Sequence, residues 1–453
     1  MDVVQADRLQ FAFTIMFHFL FPIGTMGLAP IIFWYSWRAA RTGDEIATGA
    51  AAFLSRLFAI NFAIGVVTGI PMEFQFGTNW ATFSSRTGSV IGEPLAMEGL
   101  YAFFIESVFL GVLLVGRRFV SPSFYALSAL LVWLGSWLSG LFIIVTNGWM
   151  QHPVGYGMQN GKFVITSLWA VLFSGYAWAQ YAHVIVAAAL AGGWIVTGIG
   201  AFYVLAKRDL PYAREFVRTG LIVAFAASVL VIFPTGDLNS KAVTRYQPTK
   251  LAAMEGLFET SAGAPLAIIG MPDVKGRRLI DPIYVPDLLS FLAYGNARAQ
   301  VPGLTAYASA LWPPIELTYY AYHIMVGLGT IFLAVTALAT FLLWRRRLFR
   351  TPSVLWALML LVPFPHIAHE AGWVTAEVGR QPWIVYGLLR TQDATSPNVV
   401  TGEVVFTFIG FFGMYVLLGL LFVLLILRVV GSGPASRART AVAPTAPAES
   451  AEG

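Results

Sequence analysis

The chain has 453 residues, of which 57% are hydrophobic and only 11% charged, where a soluble protein would carry about 25% charged residues. Its net charge of +5 is small and its cations lie between apolar runs, which argues against nucleic acid as a partner. With no cysteine present, disulfides, thiolate iron–sulfur or blue-copper ligation and covalent c-type haem attachment are excluded.

Apolar runs long enough to cross about 30 Å of hydrocarbon recur along the chain. The fold class is therefore an all-α polytopic membrane protein, and the short alternating segments of a transmembrane barrel are missing. Nine transmembrane helices are expected, at 11–37, 57–76, 94–116, 123–146, 178–206, 217–234, 316–343, 354–376 and 403–428. The first follows Asp2 and Asp7 and is too long for a signal-peptide core, so it reads as an uncleaved span. Residues 1–234 thus hold helices one to six, 235–315 a long loop, 316–430 helices seven to nine, and 431–453 a disordered tail rich in Ala, Pro, Ser and Gly.

Basic residues crowd alternate connections: Arg38, Arg41 and Arg56, then Arg117 and Arg118, then Lys207 to Arg218, then Arg345 to Arg350, with Arg437 and Arg439 in the tail. This asymmetry puts the N-terminus outside, on the periplasmic side, and the C-terminus in the cytoplasm. The loop at 235–315 is then external. Its mixed charges, among them Lys241, Arg245, Lys250, Glu255 and Glu259, predict a folded lid rather than a linker.

Ionisable groups at membrane depth are costly and mark function by default. His18 in the first span and His183 in the fifth each admit two readings, a hydrogen-bonded core histidine or a ligand. In the third span Glu98 and Glu106 stand about 80° and about 12 Å apart on an α-helix. Glu106 is either a neutral, hydrogen-bonded acid or a proton relay assisted by Ser107 and Ser139. His152 reads as surface, and Lys250 and Glu255, on sequence alone, as the solvated face of the lid. Met325 in the seventh span reads as core filling or as a ligand. In the eighth, Pro363 and Pro365 should break the helix. His366, Glu370 and Glu377 then share a helical stripe. HEAGW lacks the second histidine of a zinc-protease signature, and no second Glu-x-x-His pair exists for a di-metal bundle.

With this orientation His18, Glu98, His183, Met325 and Glu370 fall at one outer membrane level. Imidazole with thioether is a low-spin haem pair, whereas imidazole or carboxylate alone leaves a face open to dioxygen.

The blocks GIPMEFQFGTNW (69–80), EPLAMEGLYAFFIES (93–107), GSWLSGLFIIVTNGWMQHP (135–153), KLAAMEGLFET (250–260) and EAGWVTAEVGRQPW (370–383) resemble subunit I of the cytochrome bd quinol oxidases. The resemblance runs over nearly the whole chain. It implies a terminal oxidase of the bacterial cytoplasmic (inner) membrane that oxidises ubiquinol or menaquinol outside and reduces O2 to water with cytoplasmic protons, building a proton motive force without pumping. It implies haem b of low-spin (b558) and high-spin (b595) types, with haem d or a further haem b in its place. His183 and Met325 match the low-spin axial pair. His18, Glu98 and Glu370 match ligands at the high-spin haems, Glu106 the proton route, Lys250 and Glu255 the quinol loop, and Arg380 the GRQPW signature near the haems. A second large subunit, small single-span subunits and membrane lipid are the implied partners.

Two departures stand out: His323 replaces an arginine of many relatives, and His366 replaces a tryptophan. With the short loop, they resemble the cyanide-insensitive branch. His323 is either a substituted propionate partner or an alternative ligand. The competing classes are a haem-free proton-coupled transporter, which would show repeats or paired broken helices, and a haem protein moving electrons across the membrane, which needs ligands at both levels.

Overall fold

In a computed structural model, residues 1–435 are described. Arg437, Arg439 and the rest of the expected tail lie outside them, while Gly431 and Ser432 still belong to the last helix.

The first helix, α1 (Val3–Thr42), starts on a capping box in which the Asp2 carboxylate accepts from Gln5 N–H, and stops at Gly43 with φ of 67°. Asp44 then caps α2 (Glu45–Thr78) by accepting from the Ile46 and Ala47 N–H groups. The third span begins earlier than hydropathy suggests. It runs through α3 (Ala81–Met97), a π-helical turn (Glu98–Phe103) and α4 (Phe104–Val115). Ser121 and Pro122 open α5 (Pro122–Gln151), and a hairpin of β1 (Tyr156–Gln159) and β2 (Lys162–Ile165) with the short α6 (Leu168–Leu172) leads to α7 (Gly175–Leu205) and α8 (Leu210–Ile232).

Residues from 235 to 314 fold over one end of the bundle. They comprise α9 (Thr235–Tyr246), α10 (Pro248–Met254), β3 (Ser261–Ala262), β4 (Leu266–Asp273), β5 (Arg278–Val285), α11 (Leu288–Tyr294) and β6 (Gln300–Val301). β4 pairs with β5 and β3 with β6, all antiparallel. The chain re-enters as α12 (Ile315–Trp344), then α13 (Pro352–Leu360) and α14 (Phe364–Val378), a pair bent by 40° where Pro363 and Pro365 interrupt it. A β7 (Trp383–Val385) and β8 (Leu389–Arg390) hairpin precedes α15 (Thr401–Ser432).

Among the described residues eight helices are long and apolar enough to span a membrane, nine if the bent pair counts as one, in agreement with the expected helical spans. At 1.5 Å per residue the 40-residue α1 exceeds the hydrocarbon thickness, so the boundaries at 11 and 37 mark the apolar core of a longer rod.

Small residues let the rods meet at backbone distance. A Cβ on Gly27 of α1 would lie 2.2 Å from the Ala188 carbonyl oxygen of α7, and one on Gly192 2.1 Å from the Gly27 oxygen. The lid end also gathers Asp7, Asn79 and Ser396, with Asn79 donating to Asp7 at 2.7 Å and Ser396 N–H to the Asn79 carbonyl at 2.9 Å. At the opposite end Arg38 bonds Asp44 and Glu215, and Arg208 donates to the Gly431 carbonyl at 2.8 Å.

Candidate functional site

His18, His183 and Met325 sit in the halves of α1, α7 and α12 nearer the lid, and Glu106 lies farther from it. His18 on α1 faces α2, where its Nδ1 is 3.2 Å from Thr68 Oγ1 and its ring lies against Gly69. The next residue, Phe19, stacks on Trp373 of α14 with centroids 5.1 Å apart, and lies 6.3 Å from the His369 ring. This contact brings the α1 histidine region and the α14 cluster together.

Glu98 occupies the first position of the π-helical turn, and its carboxylate accepts from Ser139 Oγ at 2.7 Å. Ser139 therefore serves Glu98, not Glu106 as expected. The 80° separation of the two acids also fails, because the wider π turn rewinds the helix between them; Glu106 lies within electrostatic reach of Glu98. Glu106 is 5% exposed, and its Oε1 and the neighbouring Ser107 Oγ have no hydrogen-bond partner. Gly135 of α5 lets this segment approach, since a Cβ there would meet Glu106 N at 3.1 Å.

His183 on α7 has a buried, unpartnered Nδ1. Met325 of α12 lays its sulfur over Gly372 of α14, where a Cβ would come within 2.7 Å of it. On α14 both carboxylate oxygens of Glu370 are buried and unpartnered. His369, which motif reasoning set aside, is held by its Nδ1 on the Pro365 carbonyl at 2.7 Å, with Nε2 buried and unpartnered. His323 is different. Its Nδ1 meets the Tyr319 carbonyl at 2.9 Å and its Nε2 the Ala267 carbonyl at 3.0 Å, so neither nitrogen is free to ligate. It ties β4 of the lid to α12.

The lid charges are not a solvated face: Lys250 is 1% exposed and Glu255 4%. Burial pushes the Glu255 carboxyl up to about 7, against the lowering effect of a hydrogen bond from Tyr322. Burial, then the Arg380 guanidinium, holds the Lys250 ammonium well below its ordinary range, with Glu377 opposing. Around these lies a polar network that sequence reasoning missed. Glu377 accepts from Arg380, from Asn147 Nδ2 at 2.6 Å and from Gln151 Nε2 at 3.2 Å. Gln151 Oε1 in turn accepts from Lys250 at 2.7 Å and Gln247 at 2.9 Å, and Gln180 donates to Asn147 at 2.9 Å. Uncharged amides raise no charge signal; their position inside apolar runs was the available clue. His152, expected as surface, stacks on Tyr246 of the lid at 3.8 Å.

Among the described residues no three His, Cys, Asp or Glu side chains converge as a metal cage. The arrangement instead offers single, widely spaced ligands, which suits an iron already held by a macrocycle.

A family model described as "Cytochrome bd terminal oxidase subunit I" matches residues 6–434. The chain belongs to that family. Cytochrome bd ubiquinol oxidase subunit 1 of Bacillus subtilis (strain 168) is 36% identical, over 96% of this chain and 94% of its own length. Cytochrome bd-II ubiquinol oxidase subunit 1 of Escherichia coli (strain K12) is 30% identical, over 96% and 98%. The structure of bd oxidase from Geobacillus thermodenitrificans superposes with a TM-score of 0.87 at 30% identity, covering 96% of this chain and 99% of that one. Membership in the cytochrome bd subunit I family makes this a multi-pass membrane protein with a terminal quinol oxidase role and haem as its class of cofactor. The residues present fit that class: buried, unpartnered atoms on His183, His369, Glu370 and Arg380 are what haem ligation and haem carboxylates would satisfy.

Proposed function

We propose that this chain is the haem-bearing subunit of a quinol oxidase that takes electrons from ubiquinol or menaquinol beneath the lid and reduces dioxygen to water. The observation that carries this reading is the set of unsatisfied buried groups on α7 and α14, His183, His369 and Glu370, together with the buried lid carboxyl of Glu255. Haem, when bound, supplies the one-electron chemistry and the dioxygen site.

His183 and Met325 would hold a low-spin haem b from α7 and α12; His18, Glu98 and Glu370 would serve the high-spin haems, of b or d type. Glu255 receives a quinol proton and passes it to the lid side. Glu106 holds protons arriving from the opposite, cationic end, and Ser107 beside it has a buried hydroxyl without a partner. Each dioxygen consumes two quinols, so the protons released at the lid side equal those consumed from the other side. Charge separation then needs no pump.

With the cationic end in the cytoplasm, the lid faces the periplasmic side of a bacterial inner membrane. The second large subunit, and small single-span subunits, would cover apolar surface such as Leu100 and Phe104, exposed by 70% and 64% beside the Glu98 turn.

A reduced-minus-oxidised spectrum of the purified complex tests the reading. Soret and α-band changes with quinol-driven oxygen uptake are expected; their absence would leave a haem-free transporter.

A further inference from the structure

The β4–β5 hairpin of the lid buries one face and leaves the other strongly apolar. Its inner face, Ala267 and Leu279, packs on Tyr319 of α12. On the outer face Ile269 and Ile283 are cross-strand partners, exposed by 60% and 58%, and Ile268, Tyr284 and Val285 beside them are exposed too. Apolar side chains grouped on a two-stranded hairpin call for a covering partner.

Three contacts fix the height of the hairpin along α12. At its base the Ala267 carbonyl meets His323 Nε2 at 3.0 Å. Farther along β4, a Cβ on Gly270 would lie 3.1 Å from the Tyr319 hydroxyl. At the tip the Arg277 guanidinium stands 5.9 Å over the ring of Trp312, before the start of α12. The hairpin therefore runs antiparallel to α12, with its base deepest and its tip outermost.

The same helix carries a membrane ruler. Trp344, 72% exposed and followed by Arg345, Arg346 and Arg347, marks the interface away from the lid. About 30 Å of hydrocarbon takes about 20 residues at 1.5 Å each. Counting back from Trp344 sets the lid-side boundary near Ile324, beside His323 and below the exposed Tyr320. Tyr284, the partner of Ala267 across the strands, lies at that level, where aromatic residues favour membrane interfaces. Polar groups sit farther out. Asp281 falls between the Ile269–Ile283 and Met271–Ile280 pairs, and Asp273, Lys275, Arg277 and Arg278 occupy the tip. The outward face points away from a helix that crosses the bilayer, so it looks along the membrane plane.

We propose that the β4–β5 hairpin is a lipid-docking element, with its base in the acyl boundary of the lid-side leaflet and its charged tip among the phosphates. Both strands keep an open edge, whose backbone groups need the hydration of that boundary, so the hairpin goes no deeper. The inference goes beyond the oxidase reading and stands without it, because α12 alone sets the level.

The chain has no cysteine, so nitroxide labels on Ile269→Cys and Ile283→Cys can report depth in the complex held in phospholipid nanodiscs. Ile324→Cys and Lys275→Cys serve as lipid and water references, and signal from the complex without these substitutions is subtracted. Power saturation is read against oxygen, which concentrates among acyl chains, and against a water-soluble nickel chelate. Labels at 269 and 283 should lie about 5–10 Å below the phosphates, the depth of an interfacial apolar face, and rank with Ile324→Cys. Either position suffices if the other variant fails to assemble. Nickel collisions equal to those at Lys275→Cys would place the face in water, and exclusion of both reagents would show a protein covering it. Each result would overturn the proposal.

Discussion

At the scale of single residues, the site is defined by unmet demand. A buried polar atom without a partner costs about 1–3 kcal/mol, and α4, α7 and α14 each carry at least one. If His183 and Met325 are an axial pair, His183→Ala or Met325→Leu should abolish the low-spin haem signal, and a surviving signal would refute the pairing. Glu106→Gln keeps the shape of the side chain and removes the acid. Oxygen reduction should slow by roughly 10²-fold or more, the scale of a lost proton-transfer group, with haem content near normal. Glu255 supplies a pH signature. With its carboxyl raised to about 7, it is protonated below that pH and can accept a quinol proton only above it, so quinol-driven turnover should climb through pH 7. Tyr322→Phe removes a bond that favours the carboxylate and should move that limb to higher pH; an unmoved limb would dissociate Tyr322 from the reaction.

At the scale of elements, three local devices set the geometry. The proline pair at 363 and 365 bends α14 away from α13, as the sequence alone foretold, and α14 carries Glu370 with both carboxylate oxygens buried. The π turn at Glu98–Phe103 was not legible, because a wider turn depends on the neighbouring α5 as much as on its own residues. The α1–α7 crossing depends on Gly27 and Gly192. Gly27→Ala must push the two backbones apart, and an overpacking cost of about 1–3 kcal/mol is expected, read as a lowered unfolding midpoint in detergent. An unchanged midpoint would show that the crossing relaxes freely.

At the scale of the whole molecule, charge is sorted by end. The cations at Arg38, Arg117, Arg208 and Arg345 gather opposite the lid. The orientation this implies can be checked directly, since the chain has no cysteine of its own. Lys275→Cys in the lid should react with a membrane-impermeant thiol reagent in intact cells, and Arg346→Cys only after the membrane is opened; the reverse pattern would invert the topology. The long helices α12 and α15 are among the least buried spans, at 17% and 6% of their apolar windows, so lipid or another subunit must cover them.

The amino-acid sequence by itself determined the spans, the broken helix and the lid as a distinct segment. Each follows from hydropathy, proline chemistry or charge distribution, which are local properties of the chain. Only the tertiary structure decided that Ser139 bonds Glu98, that His323 is consumed by two carbonyls, and that Lys250 is buried against Gln151 and Gly379. Those facts depend on which helices meet, and a side chain's partner across a helix interface leaves no periodic trace in its own segment.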